Sequence, residues 1–223
     1  MTPDSVTLVN LNMNDPDVRL MLAVQQDDAT AFEELMSRYQ ARVLSILRHI
    51  VNNRDTAEEL TQDVFLRVFR ARKNYQPDAK FSTWLFTITN NVALNAIRSK
   101  VRKPEVQLGI KRTDASKSDA LMMAENTIIA SSGTIPTRQL EKLEMKQMVQ
   151  LAINALGDRQ RMAVLLHKFE GLSYIEIAKI MDMTPQALKS LLCRARINLR
   201  DILQAYVQKG EKVKEPKKIN KDK

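Results

Sequence analysis

The stretch Gly171-Leu-Ser-Tyr-Ile-Glu-Ile-Ala-Lys-Ile-Met-Asp-Met-Thr-Pro-Gln-Ala-Leu188 decides how this chain is read. Gly171 can end a helix, and Ser173 with Glu176 three positions on makes a capping box that starts the next. Ile177, Ala178 and Met181 then face inward, with Ala178 small where two helices must approach closely. Asp182 falls in a tight turn, where Asp tolerates a left-handed backbone better than most residues, at some cost. Thr184 as N-cap and Pro185 at the first helical position open a second helix. Two short helices joined by such a turn are a helix-turn-helix.

At about 100° per residue, the second helix buries Leu188, Leu192, Ala195, Leu199 and Leu203. Gln186, Ser190, Cys193 and Ile197 lie opposite, flanked by Lys189 and Arg194. A helix that offers polar residues of its first turns to the major groove, with cations beside them for phosphates, has this arrangement. The alternative is an ordinary helical hairpin with a solvated basic face. The two caps and the inward Ala178 favour DNA binding.

Outward from the motif, a helical pattern covers residues 138–206, and the Lys-rich end from Lys209 reads as a disordered tail. Upstream, residues 17–103 read as consecutive helices. From Asp28 to Val51, Phe32, Leu35, Tyr39, Val43, Ile46 and Ile50 recur at three- and four-residue spacing and share one face. A second helix starts near Asp55, which can cap the first turn with Glu58 three positions on, and carries Leu60, Val64, Phe65 and Val68. The run Asn74-Tyr-Gln-Pro-Asp78 breaks it. A third helix opens at Ser82 with Trp84, Leu85, Ile88, Val92 and Ala96 as its apolar stripe. Between the two helical parts, Pro104, Gly109, Ser116, Ser131, Gly133 and Pro136 are scattered among charges, which predicts a linker with a short helix near Leu121 to Ala124.

The predicted fold is all-α: two small helical domains joined by a long flexible linker, the C-terminal one with the helix-turn-helix. Its parts are an N-terminal extension (1–16), a first domain (17–103), the linker (104–137), a second domain (138–206) and a basic tail (207–223). Composition agrees, since five Gly, seven Pro and 5% aromatics in 223 residues suit helices, and 44% hydrophobic content supplies their cores. The single cysteine, Cys193, excludes an internal disulfide and a Cys-rich zinc site, and no cofactor is expected. Residues 1–14 have no basic start followed by an apolar run, and no window reaches the roughly 18 apolar residues of a membrane span. A cytoplasmic protein without membrane insertion is expected.

Net charge is +9, and residues 138–210 carry +5 of it against +1 for residues 17–98, so the C-terminal half is the stronger polyanion binder. Within the first domain two neighbouring helices contrast. The segment 55–63 holds Asp55, Glu58, Glu59 and Asp63, whereas 81–103 contains no acid and ends in Arg98, Lys100, Arg102 and Lys103. Away from its apolar stripe the latter offers Thr83, Thr87, Asn90, Asn91 and Arg98, side chains that suit an unpaired strand with exposed base edges. The acidic helix cannot comfortably share that partner and should face a protein, a solvated amphipathic helix being the alternative.

Three motifs in this order, Asp55-Thr-Ala-Glu-Glu-Leu-Thr-Gln-Asp-Val-Phe-Leu-Arg-Val-Phe69, Phe81-Ser-Thr-Trp-Leu85 and Gly171-Leu-Ser-Tyr-Ile-Glu-Ile-Ala178, resemble those of the extracytoplasmic function sigma factors over residues 17–103 and 138–206. The resemblance implies a transcription initiation factor that gives core RNA polymerase its promoter choice and is not an enzyme. It implies that Asp55, Glu58, Glu59, Leu60, Gln62, Asp63 and Phe65 dock on the polymerase clamp, with Leu60 and Phe65 as apolar anchors. Asn74, Tyr75, Lys80, Thr83, Thr87, Asn90, Asn91 and Arg98 would capture and melt the minus-ten element of promoter DNA. Thr184, Gln186, Ala187, Lys189, Ser190, Cys193, Arg194 and Arg196 would bind the upstream element as duplex. The linker would thread near the RNA exit path. Many members of the family are held inactive by an anti-sigma factor, which makes one a candidate partner here.

The chain departs from the family pattern at Gly157, where a Pro often begins the helix 158–168, at Asp182 in place of the turn Gly, and at Leu191, where an Arg is usual. Trp84 reads as core. His49 and His167 read as structural, and Cys193 as redox-sensitive only if it faces DNA, with Lys189 and Arg196 as nearby cations. No Gly-rich phosphate loop, metal cluster or Ser/His/Asp set points to an enzyme. A stand-alone helix-turn-helix regulator is the rival reading, and the acidic and acid-free helices of the first domain have no purpose in it.

Overall fold

The computed structural model describes residues 14–102 and 137–213, with side chains for 14–100 and 145–204. The expected linker, the short helix near Leu121, most of the N-terminal extension and the end of the tail lie outside these residues. The described chain is helical apart from short turns, as the periodicities predict.

α1 (Pro16–Gln25) has Asp15 as N-cap, accepting from Asp17 N–H, and Pro16 at its first position. α2 (Ala29–Val51) is capped by Asp28 and ends on Asn52 in the left-handed region, φ 53°. Leu35, Tyr39, Val43, Ile46 and Ile50 are buried along one face, as their spacing predicts. α3 (Arg54–Ala71) starts one residue before Asp55, because Asn53 is the cap: its Oδ1 accepts from Thr56 N–H at 2.9 Å. A 3-10 turn (Arg72–Asn74) follows, then α4 (Phe81–Arg102), one residue earlier than the expected start at Ser82.

α4 is the centre of the fold. It packs against α1, α2, α3 and, from the C-terminal part, α7 (Tyr174–Ile180). Its buried side chains are Phe81, Thr83, Leu85, Phe86, Thr89, Asn90, Val92 and Ala93, nearly the whole circumference, where a single stripe was expected. Trp84 is only half-buried, edge-on to Tyr75 at 5.0 Å between ring centroids.

α6 (Asp158–Lys168) and α7 belong to the same compact unit as α1–α4, together with α8 (Pro185–Val213) as far as Arg196. α6 packs on α2 and α7. α8 runs beyond the expected end near Tyr206, so Lys209 and its neighbours up to Val213 are helical where a disordered tail was expected. The second unit contains α5 (Thr137–Asn154) and the rest of α8. On α5, Ala152 and Ile153 are buried while Met145, Val149 and Leu151 are exposed.

Candidate polymerase and nucleic-acid interfaces

The helix-turn-helix forms as its residues dictate. Ser173 N–H donates to Glu176 Oε2 at 2.8 Å and Glu176 N–H donates to Ser173 Oγ at 3.3 Å, a complete capping box at the start of α7. Burial pushes the Glu176 carboxyl up, but hydrogen bonds from Ser173 and the Lys80 ammonium at 3.0 Å outweigh it and hold the pKa below the ordinary value. Gly171 has φ 67°, a conformation open to Gly without strain, and Asp182 takes the left-handed turn at φ 50°. Thr184 caps α8 by accepting from Ala187 N–H at 3.2 Å.

On α8, Leu188, Leu192 and Ala195 are buried, and Gln186, Ala187, Lys189, Ser190, Cys193, Arg194 and Arg196 are exposed. Two of the exposed set are already tied. Ser190 Oγ donates back to Gln186 O at 3.2 Å, and Arg196 Nη2 donates to the Tyr174 hydroxyl at 2.9 Å. Tyr174 in turn stands edge-on to His167, whose Nδ1 lies 3.2 Å from Leu172 O, so His167 is structural. Arg196 is thus held by the Tyr174 hydroxyl rather than left to swing, a role for Tyr174 that periodicity does not reveal.

α3 presents Asp55, Glu58, Glu59 and Gln62 to solvent, with Asp63 and Leu60 partly covered. Arg54 Nε donates to Glu58 Oε1 at 2.9 Å and Arg67 Nε to Asp63 Oδ1 at 3.0 Å, so two of the four acids on this face, Glu58 and Asp63, are engaged by arginines of their own helix. Phe65 corrects an expectation: it is 4% exposed and belongs to the core, because it sits one helical position off the acidic stripe and faces α2 and α4. Leu66, 45% exposed, and Phe69, 38% exposed, are the apolar side chains this surface offers. Leu66 lies seven residues after Glu59 and so shares its stripe; that register was the available signal. The Arg72 guanidinium lies 3.9 Å from the centre of the Phe69 ring.

The acid-free helix is less open than its sequence suggests. Asn91 and Arg98 are exposed, Thr87 is half-buried, and Asn74 and Lys80 are exposed in the preceding segment. Tyr75, Thr83 and Asn90 are not available as expected, being 3%, 2% and 4% exposed. Tyr75 fills the corner between Trp84 and Phe81, and its backbone carbonyl is held by Gln25 Nε2 at 3.2 Å. Burial drives its hydroxyl pKa upward. Neither the Tyr75 hydroxyl nor the Thr83 hydroxyl has a hydrogen-bond partner, a cost concentrated in this one segment. Asn90 Nδ2 donates to Ile180 O at 3.3 Å.

Among the described residues no helix is long and apolar enough to cross a membrane. Residues 35–103 match the family description Sigma-70 region 2, and residues 146–199 match Sigma-70, region 4. The RNA polymerase sigma-H factor of Pseudomonas aeruginosa is 29% identical over 194 residues, 87% of this chain and 97% of that protein. The ECF RNA polymerase sigma-E factor of Escherichia coli K12 is 32% identical over 198 residues, 86% of this chain and 97% of that protein. The sigma factor RpoE of Bartonella quintana, solved with the anti-sigma factor NepR, shares the fold at a TM-score of 0.56 and 20% identity, covering 78% of this chain and 96% of that one. With both regions present in order and nearly the whole length of these relatives spanned, the chain belongs to the ECF family of RNA polymerase sigma factors.

Proposed function

We propose that this sigma factor divides its work among three surfaces. The acidic stripe of α3, centred on Glu59 with Asp55, Glu58, Gln62 and Asp63 around it and Leu66 as apolar anchor, docks on a basic surface of core polymerase. The end of α4 and the segment before it, Asn74, Lys80, Thr87, Asn91 and Arg98, hold an unpaired strand of the minus-ten element. The outer face of α8 reads the upstream element, with Gln186 and Ser190 toward bases and Lys189 and Arg194 toward phosphates. In domain terms these are residues 17–103 and 138–206, joined through 104–137. The chain catalyses no reaction of its own and works in the cytoplasm, where its polymerase is. The Bartonella relative's complex supports an anti-sigma factor as a further partner.

The observation that carries this reading is the full exposure of the polar and basic set on a helix whose both flanking caps are formed. A stand-alone regulator is not favoured, since region 2 spans residues 35–103. Transcription in vitro from genomic fragments with core polymerase tests it. Specific transcripts should depend on this chain, and Glu59→Lys should weaken its capture by core about tenfold with helicity unchanged. Unchanged capture would remove the α3 assignment.

A further inference from the structure

The turn between α1 and α2 and the turn that follows α3 lie far apart in the chain, yet each holds the other. Gln25 Nε2 donates to Lys73 O at 3.1 Å and to Tyr75 O at 3.2 Å, and Lys73 Nζ donates back to Gln25 O at 2.9 Å. The Asp27 carboxylate accepts from Arg72 Nε at 3.0 Å and Nη2 at 2.9 Å on one oxygen, and from Lys73 Nζ on the other. These hydrogen bonds, from Lys73 first and then from Arg72, hold the Asp27 carboxyl below its ordinary pKa. The same Arg72 guanidinium lies over the Phe69 ring, and Phe69 rests on Phe32 of α2 with 5.2 Å between ring centroids.

Stability does not account for this network. Ion pairs as exposed as those of Asp27 contribute little to it. Asp27 also stands in the left-handed region at φ 68°, just past the end of α1, where Gly is the usual residue and a side chain is strained. A strained residue held in a network of contacts points to a demand for position. What the network positions is Asn74. The carbonyls on either side of it, of Lys73 and Tyr75, are both held by Gln25, the Tyr75 ring is wedged against Trp84 and Phe81, and the Asn74 side chain is left in solvent.

We propose that Gln25 and Asp27 are positioning residues for promoter recognition: from the α1–α2 turn they set the 72–75 turn so that Asn74 meets one base of the unpaired strand in a fixed orientation. The inference rests on the reading of α4 and its preceding segment as the strand-binding region, and it deepens that reading, since neither Gln25 nor Asp27 belongs to the set assigned there. A turn that samples several conformations has to be ordered as the strand binds. Ordering it in advance removes that cost and makes the contact sensitive to which base is offered.

Asp27→Gly separates the two roles of this residue, because Gly is at ease at positive φ and has no carboxylate. Gln25→Met keeps the length of the side chain and removes its donor. Each full-length variant, with Asn74→Ala for reference, is assembled with core polymerase and transcribes a pool built on a genomic promoter that the wild type uses, its minus-ten element randomised and each member marked by a transcribed barcode. Wild type should favour one base at the position Asn74 meets, and N74A, D27G and Q25M should each reduce that preference about tenfold, the size of one lost base contact. Preferences at the other positions should hold, as should the urea midpoint of D27G. Full preference in D27G and Q25M beside a loss in N74A would overturn the positioning role and leave the strand reading standing. An even loss at every position, with earlier unfolding, would make the network a tie between two turns and overturn the role as well. An unchanged N74A would overturn the inference whatever the other two variants do; if Lys80→Ala and Asn91→Ala were silent too, the strand reading would fall with it.

Discussion

α4 and α8 each carry a polar set opposite an apolar stripe, and on paper the two sets look equally ready for DNA. In the folded chain they differ. Every one of the eight residues assigned to the upstream element is exposed, whereas Tyr75, Thr83 and Asn90 of the minus-ten set are buried. An angular reading of a helix finds the side opposite its most apolar stripe, and that side is solvent only when the helix has neighbours on one side. α8 meets this condition over its first turns. α4 does not, because α1, α2, α3 and α7 surround it.

The comparison is broken hardest by removing a ring. Phe86 on α4 is fully buried, so Phe86→Ala should cost about 3–5 kcal/mol in urea unfolding, whereas Gln186→Ala on α8 should leave the unfolding midpoint in place. Equal stability losses would show that the two helices do not differ in their surroundings. For Gln186→Ala the effect should surface in recognition: a loss of about 1–3 kcal/mol confined to one or two base pairs, read by binding to singly substituted upstream elements. A uniform loss over all sequences would make Gln186 a backbone contact.

Next in size is the cap that builds the motif. Ser173→Ala should destabilise α7 by about 1 kcal/mol and show first as faster amide exchange in residues 174–180. Lys189→Ala should change neither stability nor base preference, and should lower the slope of log affinity against log salt by about one. Base preference that shifted with Lys189 would reverse the division of labour on α8.

The smallest expected effect distinguishes the covered helix by pH. His49 is partly buried at the end of α2; burial first, then the charges of Arg48 and Arg161, lower its pKa, and the Phe169 ring lies 6.1 Å away. A histidine with a depressed folded-state pKa contributes stability that is complete above its unfolded value of about 6.5 and is lost as pH falls through the folded value. The urea midpoint should therefore drop between about pH 7 and pH 5, and His49→Gln should flatten that drop. An identical drop in the variant would assign it to other groups.

Legibility in the sequence followed how local the cause was. Ser173 with Glu176, Thr184 before Pro185, Asp182 in the turn and the 158–168 helix are settled within a few residues of chain, and all are found as read. The start of α3 was misplaced by a residue because Asn53 and Asp55 are both good caps, and Asn53 takes the position. Phe65 was read as a surface anchor, and Leu66 was not singled out, because neighbouring residues stand about 100° apart and a phase error that small exchanges core for surface. Tyr75 looked like a loop aromatic free to meet DNA; the rings of Trp84 and Phe81 that enclose it come from another helix.

The sequence by itself determined the all-helical class, the helix-turn-helix, the charge contrast between α3 and α4 and, through its motifs, the family. Each depends on periodicity, capping chemistry or composition, which act over a few residues. Tertiary structure alone decided that α4 would be enclosed, that Asn90 would answer the carbonyl of Ile180, and that Arg161 would close the end of α2 more than a hundred residues upstream. A helix-end carbonyl is left over in every helix, and which distant donor reaches it depends on how the helices stack.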